Sequence, residues 1–351
     1  MGALYSIFRD TLPGSTAHYL NLKLADWSTP FTPSKDLETE VCGINFPSPI
    51  GAAAGLDRNG DFLDPLFRCG FGFVEVGSVT ASTERKQGQK TEKIDYQNKK
   101  CIQENVDEKR GILWIVQKLR QNAKGPRGAN IMPSNETITA LPSICDDEFI
   151  YCIDEIYPFV DYFTLNLAAN RVNKLQLYRK ESKYRDLFRR AVRERDMLIG
   201  LQVAAKTGLD VEIPYRSRSL IPPIFVKIDN EGFEAKNFVN VCKEEGIDGI
   251  ILSGTNEKGE GGEILAEQAI NKLKEFYQYT KGDIALISSG GIMNGQEALK
   301  RLKAGASLVQ IYSAVNLEGT QIVGKITQEL ENALKTEGYQ SIKEVIGKAF
   351  K

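Results

Sequence analysis

The chain has 351 residues, 42% of them hydrophobic and 26% charged, with a net charge of −1 at pH 7. That length suits one large α/β domain or two small ones, and the balanced charge gives no electrostatic case for a nucleic-acid partner. No apolar run reaches the roughly 18 residues of a spanning helix. The six cysteines (42, 69, 101, 145, 152 and 242) form no CxxC pair and read as reduced, buried thiols. His18 is the only histidine, which excludes a His-based triad or His-ligated metal site in the main domain, and no metal is expected.

Residues 1–36 form an N-terminal extension. Its opening MGALYS fits a loose acylation pattern so short and common that an ordinary start is the simpler reading. No Arg-rich, acid-poor presequence is visible, so a transit peptide is absent or already removed. Phe8, Leu12, Tyr19, Leu20, Leu22 and Leu24 make the extension apolar. Docking on the main domain, or contact with a membrane or partner, would each use that character. From residue 37 to 351, short β-rich runs alternate with helical patterns. The predicted strands are 48–56, 71–78, 127–132, 162–167, 223–229, 248–254, 284–291 and 307–314. Apolar residues recur at helical spacing in 265–279 and 295–305, and Gly305 stops the second of these. A helix is also predicted around 179–199, where the basic run RRAVRER reads as a solvated face. Strand and helix repeated eight times predict a (β/α)8 TIM barrel, with a doubly wound sheet as the alternative. Connections 79–126 and 168–222 are too long for plain loops and would be insertions on the catalytic face.

Near the C-terminus, Gly290 and Gly291 end the seventh strand, and Ile311, Tyr312 and Ser313 end the eighth. In a barrel these ends adjoin, and their backbone N–H groups can converge on a phosphate with a helix N-terminus behind them.

GAAAGLDRNG (51–60), GFGFVEVGSVT (70–80), FVKI (225–228), EGIDGIILS (245–253) and AGASLVQIYSA (304–314) together resemble the dihydroorotate dehydrogenase family. The similarity covers about residues 37 to 348 and is greatest to the membrane-associated, quinone-using class (class 2). The resemblance implies an FMN-holding (β/α)8 barrel that oxidises dihydroorotate to orotate in pyrimidine biosynthesis and passes electrons to ubiquinone. By position in those motifs it implies flavin contacts at Ala53, Ala54, Gly55, Ser78, Asn130, Asn166, Lys227, Ser253, Gly261, Gly262, Gly290, Gly291, Tyr312 and Ser313. A buried ammonium such as Lys227 suits negative charge on the flavin ring.

The substrate half departs from the family pattern. The family places a Ser or Cys base after the fourth strand, where this chain reads NLAANRV (166–172) and the base position is Ala169. Alanine has no proton acceptor, and general-base catalysis is worth about 10² to 10⁴ in rate. The family's orotate cradle aligns with QENVDE (103–108), whose Glu104, Asp107 and Glu108 would repel a carboxylate substrate. Gly254 replaces an amide ligand, and Arg58 stands where a lysine grips the substrate. Arg58, Asn166 and Thr255 are remnants of the substrate site.

A lost base, cradle and amide together point to abandoned chemistry. The favoured expectation is an inactive FMN barrel acting as a structural or accessory subunit. By family analogy it would sit at the mitochondrial inner membrane, with partners on loops 79–126 and 168–222. The alternatives are an FMN oxidoreductase with a changed substrate, its base relocated to Cys101, Ser134 or Thr137, and an active quinone-using dihydroorotate dehydrogenase.

Overall fold

A computed structural model describes residues 5, 7–8, 11–12, 14–84, 92–95, 100–103, 109–121, 124–168, 175–206, 221–229, 232–254 and 260–350. Eight parallel strands close into a barrel: β1 Ile50–Asp57, β2 Phe73–Val79, β3 Arg127–Ile131, β4 Tyr162–Asn166, β5 Ile224–Ile228, β6 Gly249–Ser253, β7 Ala285–Ser289 and β8 Leu308–Ile311. Each pairs with its neighbours in chain order, and β8 pairs with β1. All eight lie within the predicted runs or one residue beyond them. They were legible because strands buried on both faces read as short apolar runs bounded by turn residues. The doubly wound alternative is excluded by closure.

The described helices are α1 Gly14–Ala25, α2 Leu63–Arg68, α3 Gly111–Leu119, α4 Asn135–Ala140, α5 Cys145–Ile156, α6 Glu181–Lys206, α7 Ala235–Glu245, α8 Ala266–Thr280, α9 Gly295–Lys303, α10 Ser313–Glu318 and α11 Ile322–Thr336. Helix α9 is capped by Ala304, and Gly305 follows at φ 106°, the left-handed geometry that glycine supplies after a helix. Predicted strand 307–314 is shorter than expected, because Ser313 already begins α10.

Inward-facing residues alternate along each strand and fill the barrel in layers. The bottom layer is Phe73, Tyr162 and Phe225, closed by Phe46 from the hairpin Thr39–Val41/Ile44–Phe46. The Phe46 and Phe73 rings meet edge to face at 5.2 Å. Gly128 faces this layer because any Cβ there would occupy the Tyr162 ring. The hairpin turns on Cys42 at φ 50° and Gly43 at φ 76°. That turn leaves Cys42 exposed, which corrects the expectation that all the thiols are buried; Cys69, Cys145, Cys152 and Cys242 are buried as expected. One level up, the interior becomes polar.

Helix α1 docks on the barrel through buried Leu22 and Ala25. Asn21 accepts the Thr320 N–H at 3.0 Å, and His18 bridges Asn316 Oδ1 (2.8 Å) and the Leu56 carbonyl (3.0 Å). Tyr19 and Trp27 remain exposed. Among the described residues, no helix is long and apolar enough to cross a membrane.

Candidate functional site

The polar middle layer centres on Glu75, which is fully buried. Its carboxylate accepts from Asn130 Nδ2 (2.8 Å), Gln310 Nε2 (2.9 Å), the Thr164 hydroxyl (3.1 Å) and the Tyr162 hydroxyl (3.3 Å). Holding Asn130 Nδ2 downward leaves Asn130 Oδ1 facing the barrel mouth. There it accepts from Ser78 Oγ (2.6 Å) and Asn166 Nδ2 (2.8 Å). Asn166 Oδ1 in turn accepts the Ala168 N–H at 3.0 Å, which shapes the start of the loop after β4. A buried acid thus fixes the direction of every bond up to that loop.

Lys227 stands beside this network on β5. Burial depresses the pKa of its ammonium, and the negative charge of Glu75 opposes that shift. Among the described residues the ammonium has neither a hydrogen bond nor an ion-pair partner. A buried cation in that state lacks an acceptor that a bound group can supply.

On the opposite side, the ends of β6 and β7 touch backbone to backbone. Gly254 N–H donates to the Ser289 carbonyl at 2.6 Å. A Cβ on Gly254 would lie 2.7 Å from that oxygen, and one on Gly290 would lie 2.9 Å from Gly254 Cα. Gly290 (φ 96°) and Gly291 (φ 74°) form a left-handed turn directly above this contact. Gly261 and Gly262 lie in a strand that pairs with Cys101 and Lys100 of the 79–126 insertion, so the loop after β6 is tied to that insertion. On β1, the pairing with β2 shifts register between Ala52 and Asp57, which frees the backbone of Ala53, Ala54 and Gly55 from the ladder. Tyr312 and Ser313 follow β8 beside the Gly290 turn, and α10 behind them is only six residues long.

The structure therefore brings Ser78, Asn130, Asn166 and Lys227 to one mouth. It rings them with the Ala53–Gly55 segment, Ser253, Gly290, Gly291 and Ser313 from the neighbouring strand ends. Half-buried Arg58 follows β1 at the same end of the barrel. Ala169, Thr255 and residues 104–108 lie outside the described residues. Ser134 and Thr137 are committed elsewhere: the Ser134 hydroxyl caps α4, and both hydroxyls donate to Glu148, at 3.0 and 2.7 Å. Three buried residues escaped the sequence reading. Glu75 lies two residues from inward Phe73 and so faces inward, a period-2 signal. Arg301 lies three residues from buried Ala298, on the apolar face of α9. Asp57, whose carboxyl burial raises to about 6, holds the Asp61 and Phe62 N–H groups of the β1–α2 loop.

This arrangement fits a flavin nucleotide: an orphaned cation for the ring, amides at its edge and a glycine cradle for its phosphate. The dihydroorotate dehydrogenase family model matches residues 36–334. The chain belongs to the dihydroorotate dehydrogenase family. It is 30% identical to the dihydroorotate dehydrogenase (quinone) of Azorhizobium caulinodans, with 98% of each chain covered. It is 28% identical to the mitochondrial dihydroorotate dehydrogenase (quinone) of Mus musculus, over 90% of this chain and 81% of that one. These relatives place it with the quinone-using class. A crystal structure of Eimeria tenella dihydroorotate dehydrogenase in complex with ferulenol superposes with a TM-score of 0.85 at 24% identity, covering 99% of this chain and 98% of that one. The ligand-free Eimeria tenella enzyme gives 0.82 at 22% identity, which supports the shared fold.

Proposed function

We propose that this member of the dihydroorotate dehydrogenase family binds FMN but no longer oxidises dihydroorotate, and serves as an accessory subunit at the mitochondrial inner membrane. The observation that carries the flavin half is Lys227, a buried ammonium without a partner beside an amide floor and opposite a glycine turn. Lys227 would stabilise negative charge on the flavin ring, Asn130 and Asn166 would orient its edge, and Gly290, Gly291 and Ser313 would admit its phosphate. Bound FMN supplies hydride and electron transfer.

The substrate half rests on the sequence. With Ala169 at the base position, the C5 proton of dihydroorotate meets no acceptor. With QENVDE as the cradle, its carboxylate meets acids instead of neutral donors. Gly254 adds a structural reason why the family's amide is missing: the backbone contact with Ser289 leaves no room for a Cβ. Loops 79–126 and 168–222 are the proposed partner surfaces, and the apolar extension is the proposed membrane-proximal element. A cation kept at Arg58, with Asn166 and the complete amide floor, favours a second reading, an FMN oxidoreductase with a changed substrate.

The test is the absorbance spectrum and released cofactor of the purified protein. FMN at close to one per chain supports the reading. Protein that neither retains nor takes up FMN overturns it.

A further inference from the structure

We propose that Arg301 is the positioning residue that sets the phosphate specificity of the flavin site, by clipping together the two glycine loops that form the cradle. This rests on the flavin reading above. Arg301 is fully buried on α9, behind the barrel wall. Its guanidinium makes four bonds to four separate places. Nε donates to Glu297 Oε1 (2.9 Å) and Nη1 to Ser288 Oγ on β7 (2.9 Å). Nη2 donates to the carbonyls of Ala266 (3.0 Å) and Gly290 (3.2 Å).

The last two bonds matter most. Ala266 starts α8, four residues after Gly262, and Gly290 belongs to the turn after β7. The two segments are already in close approach: a Cβ on Gly291 would lie 3.0 Å from Ala266 Cα and 3.1 Å from the Gly262 carbonyl. Nothing covalent holds them there. One planar fork that donates to a carbonyl on each side does so, and a lysine's point charge cannot reproduce that geometry.

The fork also aims the turn. A trans peptide carries its C=O and the following N–H on opposite sides. The Gly290 carbonyl points outward to Arg301, so the Gly291 N–H points the other way, towards the barrel mouth. Among the described residues none accepts from that N–H. Arg301 therefore touches no ligand, yet it presents a backbone donor to one. Ring binding by Lys227, Asn130 and Asn166 takes place on other strands and does not depend on this clip.

That separation defines the experiment. The affinities of apoprotein for FMN and for riboflavin, which lacks the phosphate, are measured by quenching of flavin fluorescence in the unmodified chain, Arg301→Lys and Arg301→Met. Thermal melting establishes that each variant is folded. In both variants FMN affinity falls at least about tenfold, while riboflavin affinity changes less than about threefold, so the preference for FMN collapses. If a variant of Arg301 does not fold, Glu297→Gln withdraws the ion pair that orients the guanidinium, and the same preference shrinks in smaller degree. Equal losses for the two flavins, or no loss for either, overturn the inference and leave Arg301 as fold support. FMN binding absent from the unmodified chain overturns the flavin reading itself, and the inference with it.

Discussion

Replacing Gly254 by asparagine would restore the amide that the family carries at this position, and the structure predicts that the restoration fails. The obstacle is the Cβ and not the amide. It would lie 2.7 Å from the Ser289 carbonyl oxygen and 3.2 Å from Gly290 Cα, so the ends of β6 and β7 must separate by several tenths of an ångström. Overpacking of that kind costs about 1–3 kcal/mol. Separation also stretches the 2.6 Å bond from Gly254 N–H to Ser289, a contribution of roughly 0.5–1.5 kcal/mol. A total of about 2–4 kcal/mol, set against an unfolding entropy of roughly 0.7 kcal/mol/K for a chain of this length, lowers the melting temperature by about 3–6 °C. Gly290 shifts with its neighbour, so FMN affinity drops at least about tenfold. Gly254→Ala carries the same Cβ and should show most of both effects. Differential scanning fluorimetry and flavin titration of both variants check this. Variants that melt within about 1 °C of the parent and bind FMN equally well would refute the reasoning, most plainly if the asparagine variant also acquired dihydroorotate oxidation.

Two further outcomes follow from the buried acids. Asp57 has its folded pKa raised by burial from 3.8 to about 6, so between those values the folded state binds more protons than the unfolded chain. Stability contributed at this position therefore falls as pH rises through that window, by about 3 kcal/mol in total, of which about 2 kcal/mol is lost between pH 4 and pH 7; the difference in urea stability between the parent and Asp57→Asn should move by about 2 kcal/mol over that range, and a pH-independent difference would contradict it. Glu75→Ala strands the Asn130 and Gln310 amides and two hydroxyls in the barrel centre, at about 1–3 kcal/mol for each donor left unpaired. We expect a loss of at least about 4 kcal/mol by urea denaturation, the low end for four stranded donors, and a loss below about 1 kcal/mol would show that the network is not what holds this layer.

The barrel was readable because each strand is a short apolar run with a turn at its end, and because α8 and α9 keep strict helical spacing. FVKI placed Lys227 on a strand end, and paired glycines marked the turn after β7. What the sequence concealed is contact between distant segments. Glu75 is recognisable as an inward residue, but its four donors come from β3, β4 and β8, and no local pattern announces them. Arg301 in a basic helix looks like one more solvated charge until Ser288 and the Gly290 and Ala266 carbonyls are found around it. Gly254 reads as a simple deletion of an amide; only the closeness of the β6 and β7 backbones shows that a side chain is excluded there. Cys42 reads as a buried thiol until the hairpin turn presents it outward.

The central claim, a flavin site whose substrate half has been given up, is tested most directly by mixing the FMN-loaded protein with dihydroorotate under anaerobic conditions and following absorbance near 450 nm, roughly the oxidised-flavin band. The account predicts an unchanged spectrum, with Ala169→Ser alone equally inert because the substrate still lacks its cradle. Bleaching of the unmodified protein at about 1 to 10³ per second, the ordinary range of enzymes, would contradict it and make this chain an active dihydroorotate dehydrogenase.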